Sequence, residues 1–270
     1  MSETDKVFAG SIPENYDRYL VPLIFESFAQ DVARRAAELT PHSILETAAG
    51  SGVVTRALAP KLPSGARYVV TDLNQPMLDY AVKRQPPDSR ISWQKADAQA
   101  LPFEDASFNL VCCQFGVMFF PDRQTGYREA KRVLRPGGHF LFNVWDRIEE
   151  NVFADDVTNA LAEIFPSDPP RFLARTPHGY HDTELIRSEL KNAGFSDVAI
   201  EVRAEQSRAP SPRHPAMAYC QGTPLRNEIE ARDAVSLETA TDHAASWIAN
   251  RHGSGEVAAK IQANVIIARA

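Results

Sequence analysis

The chain has 270 residues, of which 44% are hydrophobic and 24% are charged, a balance typical of a globular protein with one large core or two small ones. The formal net charge of −6 argues against a nucleic acid as partner, because binding phosphates requires clustered basic side chains. The polar, acidic start of the chain lacks the pattern of a signal peptide, and no apolar run is long enough to cross a bilayer, so we expect a cytoplasmic protein.

Strand and helix patterns alternate from about residue 42 to residue 145. Short apolar or β-branched runs predict strands at 43–47, 68–72, 91–96, 108–113 and 138–145. Helices are predicted between them, one beginning at Pro76, where a missing N–H costs little, and one covering residues 122–134. Strands that alternate with helices indicate an α/β protein with a parallel sheet and right-handed crossovers.

The pattern changes after Trp145. An amphipathic helix over residues 153–164 and a Pro-rich loop precede a second helix, whose predicted N-cap is Asp182 and whose C′ residue is Gly194. Two more strands are predicted at 198–202 and 261–268, separated by helices and loops. We therefore predict an N-terminal helical lid (1–40), a core (41–206 and 258–270) and a helical insertion (207–257) that shapes a substrate pocket.

The strongest local signal runs from Glu46 to Gly52 and reads Glu-Thr-Ala-Ala-Gly-Ser-Gly. It follows a strand and opens a helix, so its small residues let the backbone approach a ligand at the helix N-terminus. Asp72 ends the next strand, and an acid at that point accepts both hydroxyls of a ribose in nucleotide-binding folds. The alternative interpretation of Asp72 is a cap of the helix that follows.

Three further segments follow this motif: Thr71 to Leu78, Ala96 to Phe103, and Arg132 to Gly138. With residues 44–52 they resemble, in order and spacing, the motifs of class I S-adenosylmethionine-dependent methyltransferases of the ubiquinone/menaquinone C-methyltransferase-like kind. The second segment resembles the family's ribose-binding strand end, the third its adenine-binding loop, and the fourth its helix–turn before strand five. The resemblance covers roughly residues 15–145.

This resemblance implies a Rossmann-like seven-stranded sheet, mostly parallel with an antiparallel last strand, with helices on both faces and a helical cap insertion. It also implies methyl transfer from S-adenosylmethionine, with S-adenosylhomocysteine as product, to a small-molecule acceptor by in-line SN2 displacement. The cofactor carries the activated methyl group. Oxygen, nitrogen and carbon acceptors remain open at this stage, as do a homodimer and the need for a general base.

Residue roles follow from the same resemblance. Glu46 would orient the methionine amino group, Asp72 would bind the ribose, and Asp97 would accept from the adenine amino group. The remaining residues implied at the cofactor are Tyr19 in the lid, Ala48, Gly50 and Gly52 against the methionine portion, Leu73 and Met77 over the adenine, Ala98 through its N–H, and Gln114 and Phe115 near the methyl end. Ala48 stands where the family usually has glycine, which narrows the loop by one methyl group.

Candidates for the acceptor side come from the loop after the fifth strand. His178, Tyr180 and His181 would supply a base or a hydrogen bond to the substrate. The competing interpretation is that they are ordinary loop residues that cap a helix. No third ligand joins the two histidines and there is no Cys-x-x-Cys pair, so we expect no metal site.

Two other functions compete with methyl transfer. A cofactor-binding protein without catalysis would carry the same motifs. An NAD(P)-dependent short-chain dehydrogenase would explain Tyr127 and Lys131, but Thr55 stands where the dinucleotide fingerprint requires a third small residue.

Overall fold

The computed structural model describes residues 12–232 and 235–270. In these residues seven strands form one sheet in the order β3-β2-β1-β4-β5-β7-β6. The strands are β1 (Ser43–Glu46), β2 (Arg67–Asp72), β3 (Ile91–Lys95), β4 (Phe108–Gln114), β5 (Leu134–Trp145), β6 (Ser196–Ala209) and β7 (Val257–Arg269). Strands β1 to β5 pair in parallel, whereas β7 runs antiparallel to both of its neighbours. The predicted fold class is confirmed.

Helices lie before and between these strands along the chain. They are α1 (Ile12–Asn15), α2 (Glu26–Glu38), α3 (Val53–Leu58), α4 (Gln75–Arg84), α5 (Arg123–Val133), α6 (Val152–Ile164), α7 (Phe172–Arg175), α8 (Thr183–Asn192), α9 (Arg213–Gln221), α10 (Leu225–Glu230) and α11 (Leu237–His252). Asp182 is the N-cap of α8, because its side chain accepts from the N–H groups of Glu184 and Leu185, and Gly194 after it has φ +93°. Both cap predictions are correct.

Strand β1 is the centre of the parallel part of the sheet. All four of its residues are buried, and Ile44 lies opposite Tyr68 of β2 and Leu110 of β4. Apolar side chains of β1, β2 and β4 pack with α2 and α3 into one hydrophobic core. Because parallel strands all end at the same edge, the loops after β1, β2 and β4 are brought together there.

Strand β5 begins earlier than predicted. The sequence predicts a helix to residue 134 and a strand from 138, yet α5 ends at Val133 and β5 starts at Leu134. Leu134 pairs with Phe108, and the register then shifts before Leu110 pairs with His139. A bulge therefore accommodates the Pro-Gly-Gly segment inside the strand, which a proline and two glycines disguise in the sequence.

Strand β6 is also longer than the predicted 198–202. It runs from Ser196 to Ala209 at one edge of the sheet. Charged side chains occupy every second position in the middle of the strand, at Glu201, Arg203 and Glu205. An edge strand tolerates such residues because less of it is buried, and the apolar pattern that marks a strand is lost.

The N-terminal helical segment is irregular between α1 and α2. Tyr16–Phe25 forms a π-helix that contains Pro22. Proline cannot donate the backbone hydrogen bond of a regular helix, so the ladder must adjust around it. Residues 1–11 of the predicted lid lie outside the described residues.

The chain divides into two compact units. Unit 1 comprises the described residues up to Glu26, Trp145–Tyr180 and Ala204–Gln262, and unit 2 comprises Ser27–Val144, His181–Arg203 and Ala263–Ala270. The predicted division into lid, core and insertion stays a prediction. No helix among the described residues is both long and apolar enough to span a bilayer.

A buried carboxylate joins two helices of unit 1. Asp156 of α6 is fully buried. It accepts hydrogen bonds from Arg251 (2.5 Å) and His252 (2.7 Å) near the end of α11. A buried carboxylate costs desolvation energy unless such donors compensate it, so this cluster fixes the pairing of α6 with α11.

Replacement of Asp156 by alanine should destabilise unit 1. We expect Asp156→Ala to lower the free energy of unfolding by about 2–4 kcal/mol, because His252 loses its buried partner while Arg251 can turn to solvent. Asp155→Ala on the same helix is the control, with an expected loss below about 1 kcal/mol, since the Asp155 carboxyl is itself disfavoured by burial and by the neighbouring charge. Urea denaturation measures both, and equal losses would contradict the assignment.

Candidate cofactor-binding and active site

The loop between β1 and α3 adopts a left-handed backbone at three positions. The φ angles are +51° at Ala48, +57° at Gly50 and +78° at Gly52. The amide of Ala49 donates to the Thr71 carbonyl at 3.0 Å, which ties the loop to the end of β2. Glycine adopts this conformation at no steric cost, whereas an L-alanine pays about 1–2 kcal/mol. The methyl group of Ala48 is therefore held against a backbone preference.

Gly116 provides the space that the Ala48 side chain needs. A Cβ atom at Gly116 would lie 2.5 Å from Cβ of Ala48 and 2.6 Å from Sγ of Cys113. Both distances are too short for any real contact, so a side chain at position 116 is excluded while Ala48 is present. The two positions form a sterically coupled pair at the ends of β1 and β4.

Asp72 connects the first loop to the second. Its Oδ2 accepts from the Gly50 amide at 2.8 Å and its Oδ1 accepts from the Asn74 amide at 2.7 Å. Burial raises the pKa of this carboxyl, and the amide hydrogen bonds oppose that rise. The N-cap of α4 is Asn74, so Asp72 braces the turn that leads to the helix but is not its cap.

Of two apolar side chains that follow Asp72 along the chain, one is exposed and the other is buried. Leu73 is 43% exposed, which is unusual for leucine, whereas Met77 is 3% exposed. Leu73 thus offers apolar surface beside the carboxylate that the sequence assigns to the ribose.

The loop after β3 carries a second acid. Oδ1 of Asp97 accepts from the Gln99 amide at 2.9 Å, and Asp97 forms a short bridge with Ala100. The Ala98 amide donates to no group in the described part of the chain. Asp97 and Ala98 are both partly exposed, so a carboxylate and an N–H donor stand side by side.

Glu46 is held by two hydroxyl groups. Its Oε2 accepts from Thr55 Oγ1 at 2.7 Å and from the Tyr68 hydroxyl. Only 2% of Glu46 is exposed, and burial raises its pKa to about 7 against the lowering effect of Tyr68 and Thr55. Sequence reasoning missed both partners, although a tyrosine within an otherwise apolar strand is a signal that a buried hydroxyl needs an acceptor.

A second non-glycine residue with a left-handed backbone directly follows β4. Phe115 has φ +51°, and its amide donates to Oδ1 of Asn143 at 2.9 Å. Asn143 is fully buried on β5 and was also missed by the sequence analysis. Non-glycine residues in this backbone region cluster at functional sites, which is consistent with the assignment of Gln114 and Phe115.

The acceptor candidates fall in different units. His178 is 5% exposed and Tyr180 is 3% exposed, both in unit 1. Nδ1 of His178 lies 2.9 Å from the Asp146 carbonyl, and its ring lies 6.1 Å from that of Trp145. His181 belongs to unit 2, where its carbonyl accepts from the Asn264 side chain at 3.4 Å.

Tyr19 lies in the π-helical segment of unit 1. Its ring meets that of His214 edge-on at 5.1 Å, and the Arg18 guanidinium lies 5.1 Å from its centre. These contacts fix the ring, and a role at the cofactor stays a prediction.

Known proteins are similar to this chain in sequence. The family model described as "Methyltransferase domain" matches residues 45–142. A demethylmenaquinone methyltransferase of Clavibacter sepedonicus is 31% identical over 174 residues, covering 61% of this chain and 70% of the relative. A demethylmenaquinone methyltransferase of Mycolicibacterium gilvum is 30% identical over 208 residues, covering 73% and 87%.

Solved structures have the same fold. A phosphoethanolamine N-methyltransferase 2 of Haemonchus contortus, in complex with S-adenosyl-L-methionine, superposes with a TM-score of 0.62 at 19% identity and covers all of this chain and 60% of that one. A methyltransferase structure from Bacillus halodurans gives a TM-score of 0.57 at 19% identity, covering 89% and 97%.

The chain belongs to the class I S-adenosylmethionine-dependent methyltransferases of the ubiquinone/menaquinone C-methyltransferase kind. S-adenosylmethionine is its methyl donor, and the dehydrogenase interpretation is excluded. Tyr127, which suggested it, is fully buried on α5 and packs against the rings of Phe140 and Phe142.

The residues after the first three strands carry the kinds of group that the cofactor requires. The left-handed loop lets backbone approach a ligand, Asp72 and Asp97 provide acceptors at separate loops, and exposed Leu73 provides apolar cover. The chemistry of a ribose, an adenine amino group and an ammonium matches this set of groups.

Steric coupling between Ala48 and Gly116 predicts a non-additive pair of substitutions. Gly116→Ala should lower the free energy of unfolding by about 1–3 kcal/mol because it overpacks the junction. Adding Ala48→Gly should recover part of that loss, since the contact with Cys113 Sγ remains. The control is Gly65→Ala, where no atom lies within 4 Å of an added Cβ. A double-mutant cycle measured by denaturation checks this, and additive effects would refute the coupling.

Proposed function

We propose that this methyltransferase methylates a small aromatic acceptor that carries a hydroxyl group, such as a quinol ring, at a ring carbon. The observation that carries the proposal is a run of aromatic contacts in unit 1 that ends at His178. Tyr16 stacks on Phe25 at 5.0 Å, Phe25 contacts Trp145 at 5.9 Å, and Trp145 contacts His178 at 6.1 Å. Clustered aromatic side chains favour contact with a planar ring that has a polar edge.

The names of the relatives support this acceptor class. Besides the two demethylmenaquinone methyltransferases, the chain is 28% identical over 186 residues to a ubiquinone/menaquinone biosynthesis C-methyltransferase of Rickettsia felis. The net charge of −6 also favours an uncharged small molecule over a polyanion. A quinol ring combines a hydroxyl group with the planar surface that aromatic side chains accept.

The tautomer of His178 follows from its hydrogen bond. A backbone carbonyl only accepts, so Nδ1 of His178 must donate to the Asp146 carbonyl. The neutral ring then carries its lone pair on Nε2, the form of a general base. We assign His178 to removing the proton of the acceptor hydroxyl, which increases electron density on the adjacent ring carbon. Tyr180 and His181 are proposed as supporting groups.

The methyl group enters from the cofactor. When bound, S-adenosylmethionine would supply a sulfonium-activated methyl group, which would allow in-line displacement with a carbon–carbon bond formed and a carbon–sulfur bond broken. The hydroxyl proton would go to Nε2 of His178. After methylation the ring carbon would release its own proton to water and His178 would return its proton to the oxygen, so that aromaticity is regained and one proton is released for each methyl group transferred.

Cofactor binding is assigned to unit 2. We propose that Glu46 orients the ammonium group, Asp72 holds the ribose, and Asp97 with the Ala98 amide holds the adenine edge. Leu73 and Met77 cover the adenine, and the loop of Ala48, Gly50 and Gly52 lies against the methionine portion. Gln114 and Phe115 are proposed near the methyl end. The lid with Tyr19, the substrate-shaping insertion, a cytoplasmic location and a homodimer stay predictions.

Replacement of Asp72 should separate cofactor binding from folding. We expect Asp72→Ala to weaken S-adenosylmethionine binding at least about tenfold, because a charged acceptor is lost, in calorimetric titration. Asp79→Ala, an exposed acid on α4, is the control and should bind normally. Circular dichroism checks that the variant folds, since Gly50 and Asn74 also lose their acceptor. Titration with NAD(H) should give no binding, and unchanged affinity in Asp72→Ala would refute the ribose role.

Replacement of His178 tests the acceptor side. His178→Asn keeps a donor near the position of Nδ1 and removes Nε2, so we expect kcat to fall about 10²–10⁴-fold while S-adenosylmethionine affinity is unchanged. The control is His42→Asn, at an exposed position before β1, which should turn over normally. The assay uses 1,4-naphthoquinols and mass spectrometry of the product. Unchanged turnover in His178→Asn would contradict the base, and an O-methylated product would contradict carbon methylation.

A further inference from the structure

The two hydroxyl donors at Glu46 converge on a single carboxylate oxygen. Thr55 of α3 and Tyr68 of β2 both donate to Oε2. No described group donates to Oε1. A carboxylate oxygen carries two lone pairs, so two donors saturate Oε2. The arrangement thereby distinguishes the two oxygens of one buried side chain.

We propose that Thr55 and Tyr68 are positioning residues that fix Glu46 through Oε2 so that Oε1 is the acceptor for the ammonium group of the cofactor. The inference rests on the proposed role of Glu46 and extends it to two fully buried residues. Both act through Glu46, one from a helix and one from a neighbouring strand, and so hold its carboxylate plane in one orientation.

We call the two hydroxyl donors, Thr55 and Tyr68, the clamp of Glu46. The register of the sheet explains why this clamp is rigid. Glu46 lies opposite Val70, and Tyr68 lies two residues earlier on β2, opposite Ile44. Tyr68 is fully buried and Thr55 is fully buried, so neither side chain can exchange its partner for water. Loss of either hydroxyl leaves Glu46 with one donor and a less defined orientation.

Burial also favours the protonated form of Glu46. Since desolvation raises the pKa of Glu46 to about 7, part of the carboxyl population is protonated at neutral pH in the free protein. An ammonium group binds the ionised form, so cofactor binding must release that proton. The affinity should therefore rise with pH up to about 7, and by up to about tenfold for each pH unit below it.

Other charged and titratable groups around Glu46 also affect how readily it ionises. Arg56 of α3 favours the ionised form, whereas Asp72 of β2 opposes it. Cys112 and Cys113 of β4 are fully buried, and burial raises the pKa of both thiols above their usual range. The thiols are therefore neutral across the range of interest, and Glu46 is the group expected to take up or release the proton.

The experiment compares two ligands over a pH range. S-adenosylhomocysteine carries the ammonium group, and 5′-methylthioadenosine has the same adenosyl thioether without it. Calorimetry of the full chain from pH 5.5 to 7.5, in buffers of different ionisation enthalpy, measures affinity and proton release. We expect proton release and rising affinity for S-adenosylhomocysteine only. Glu46→Gln should abolish both effects.

Variants of the clamp make the test specific. Tyr68→Phe and Thr55→Val each remove one donor that lowers the Glu46 pKa, so the midpoint of the pH profile should move upwards and S-adenosylhomocysteine affinity at pH 7 should fall about 3–10-fold. Affinity for 5′-methylthioadenosine should not change. Thr55→Ser should restore the normal profile, and Tyr127→Phe, a fully buried tyrosine elsewhere in unit 2, should leave it unchanged.

Two kinds of negative result would overturn different parts of the proposal. A pH-independent affinity, or an equal loss of both ligands in Tyr68→Phe and Thr55→Val, would overturn the clamp while leaving the methyltransferase function intact. Absence of S-adenosylhomocysteine binding at every pH would overturn the proposed cofactor site and the clamp with it.

Discussion

The hydrogen bond from the Gly50 amide to the Asp72 carboxylate is the contact on which the rest of the cofactor region depends. At 2.8 Å it joins the loop after β1 to the end of β2. The backbone is left-handed at Gly50, where this amide meets the acid. The bond orients Asp72, and Asp72 in turn braces the turn that begins α4. The conformation of the loop after β1 and the position of the Asp72 carboxylate therefore depend on each other.

Buried acids in this region are held at a cost in stability. Glu46 and Asp72 both have pKa values raised by burial, so the folded protein disfavours their ionised forms relative to water. Hydrogen-bond donors offset part of that cost in each case. Strained backbone at Ala48 and Phe115 adds to it. Strained backbone persists only where the surrounding structure holds it in place, and here Ala48 and Phe115 follow the adjacent strands β1 and β4.

Sequence patterns predicted the elements and the first loop well because those depend on neighbouring residues. The strand–helix alternation, the Asp182 cap and the position of Asp72 all follow from local spacing. The hydroxyl of Tyr68 and the amide of Asn143 did not, since each acts on a residue more than twenty positions away. Their roles depend on strand register, which sequence spacing does not reveal. The start of β5 was missed for the same reason, because its pairing partner, Phe108, lies on another strand.

The ion pairs beside the outermost strand have a consequence for the behaviour of the protein in concentrated solution. Strand β6 ends the sheet, and Val202 on it is 56% exposed. Unpaired strand edges with apolar side chains recruit further strands and seed aggregates. Here Glu201 and Arg203 flank Val202 and are bound to Arg35 (2.9 Å) and Asp31 (3.1 Å) of α2. An incoming strand would have to bury or displace those charges, so the outer edge is protected against self-association by the same helix that covers the core.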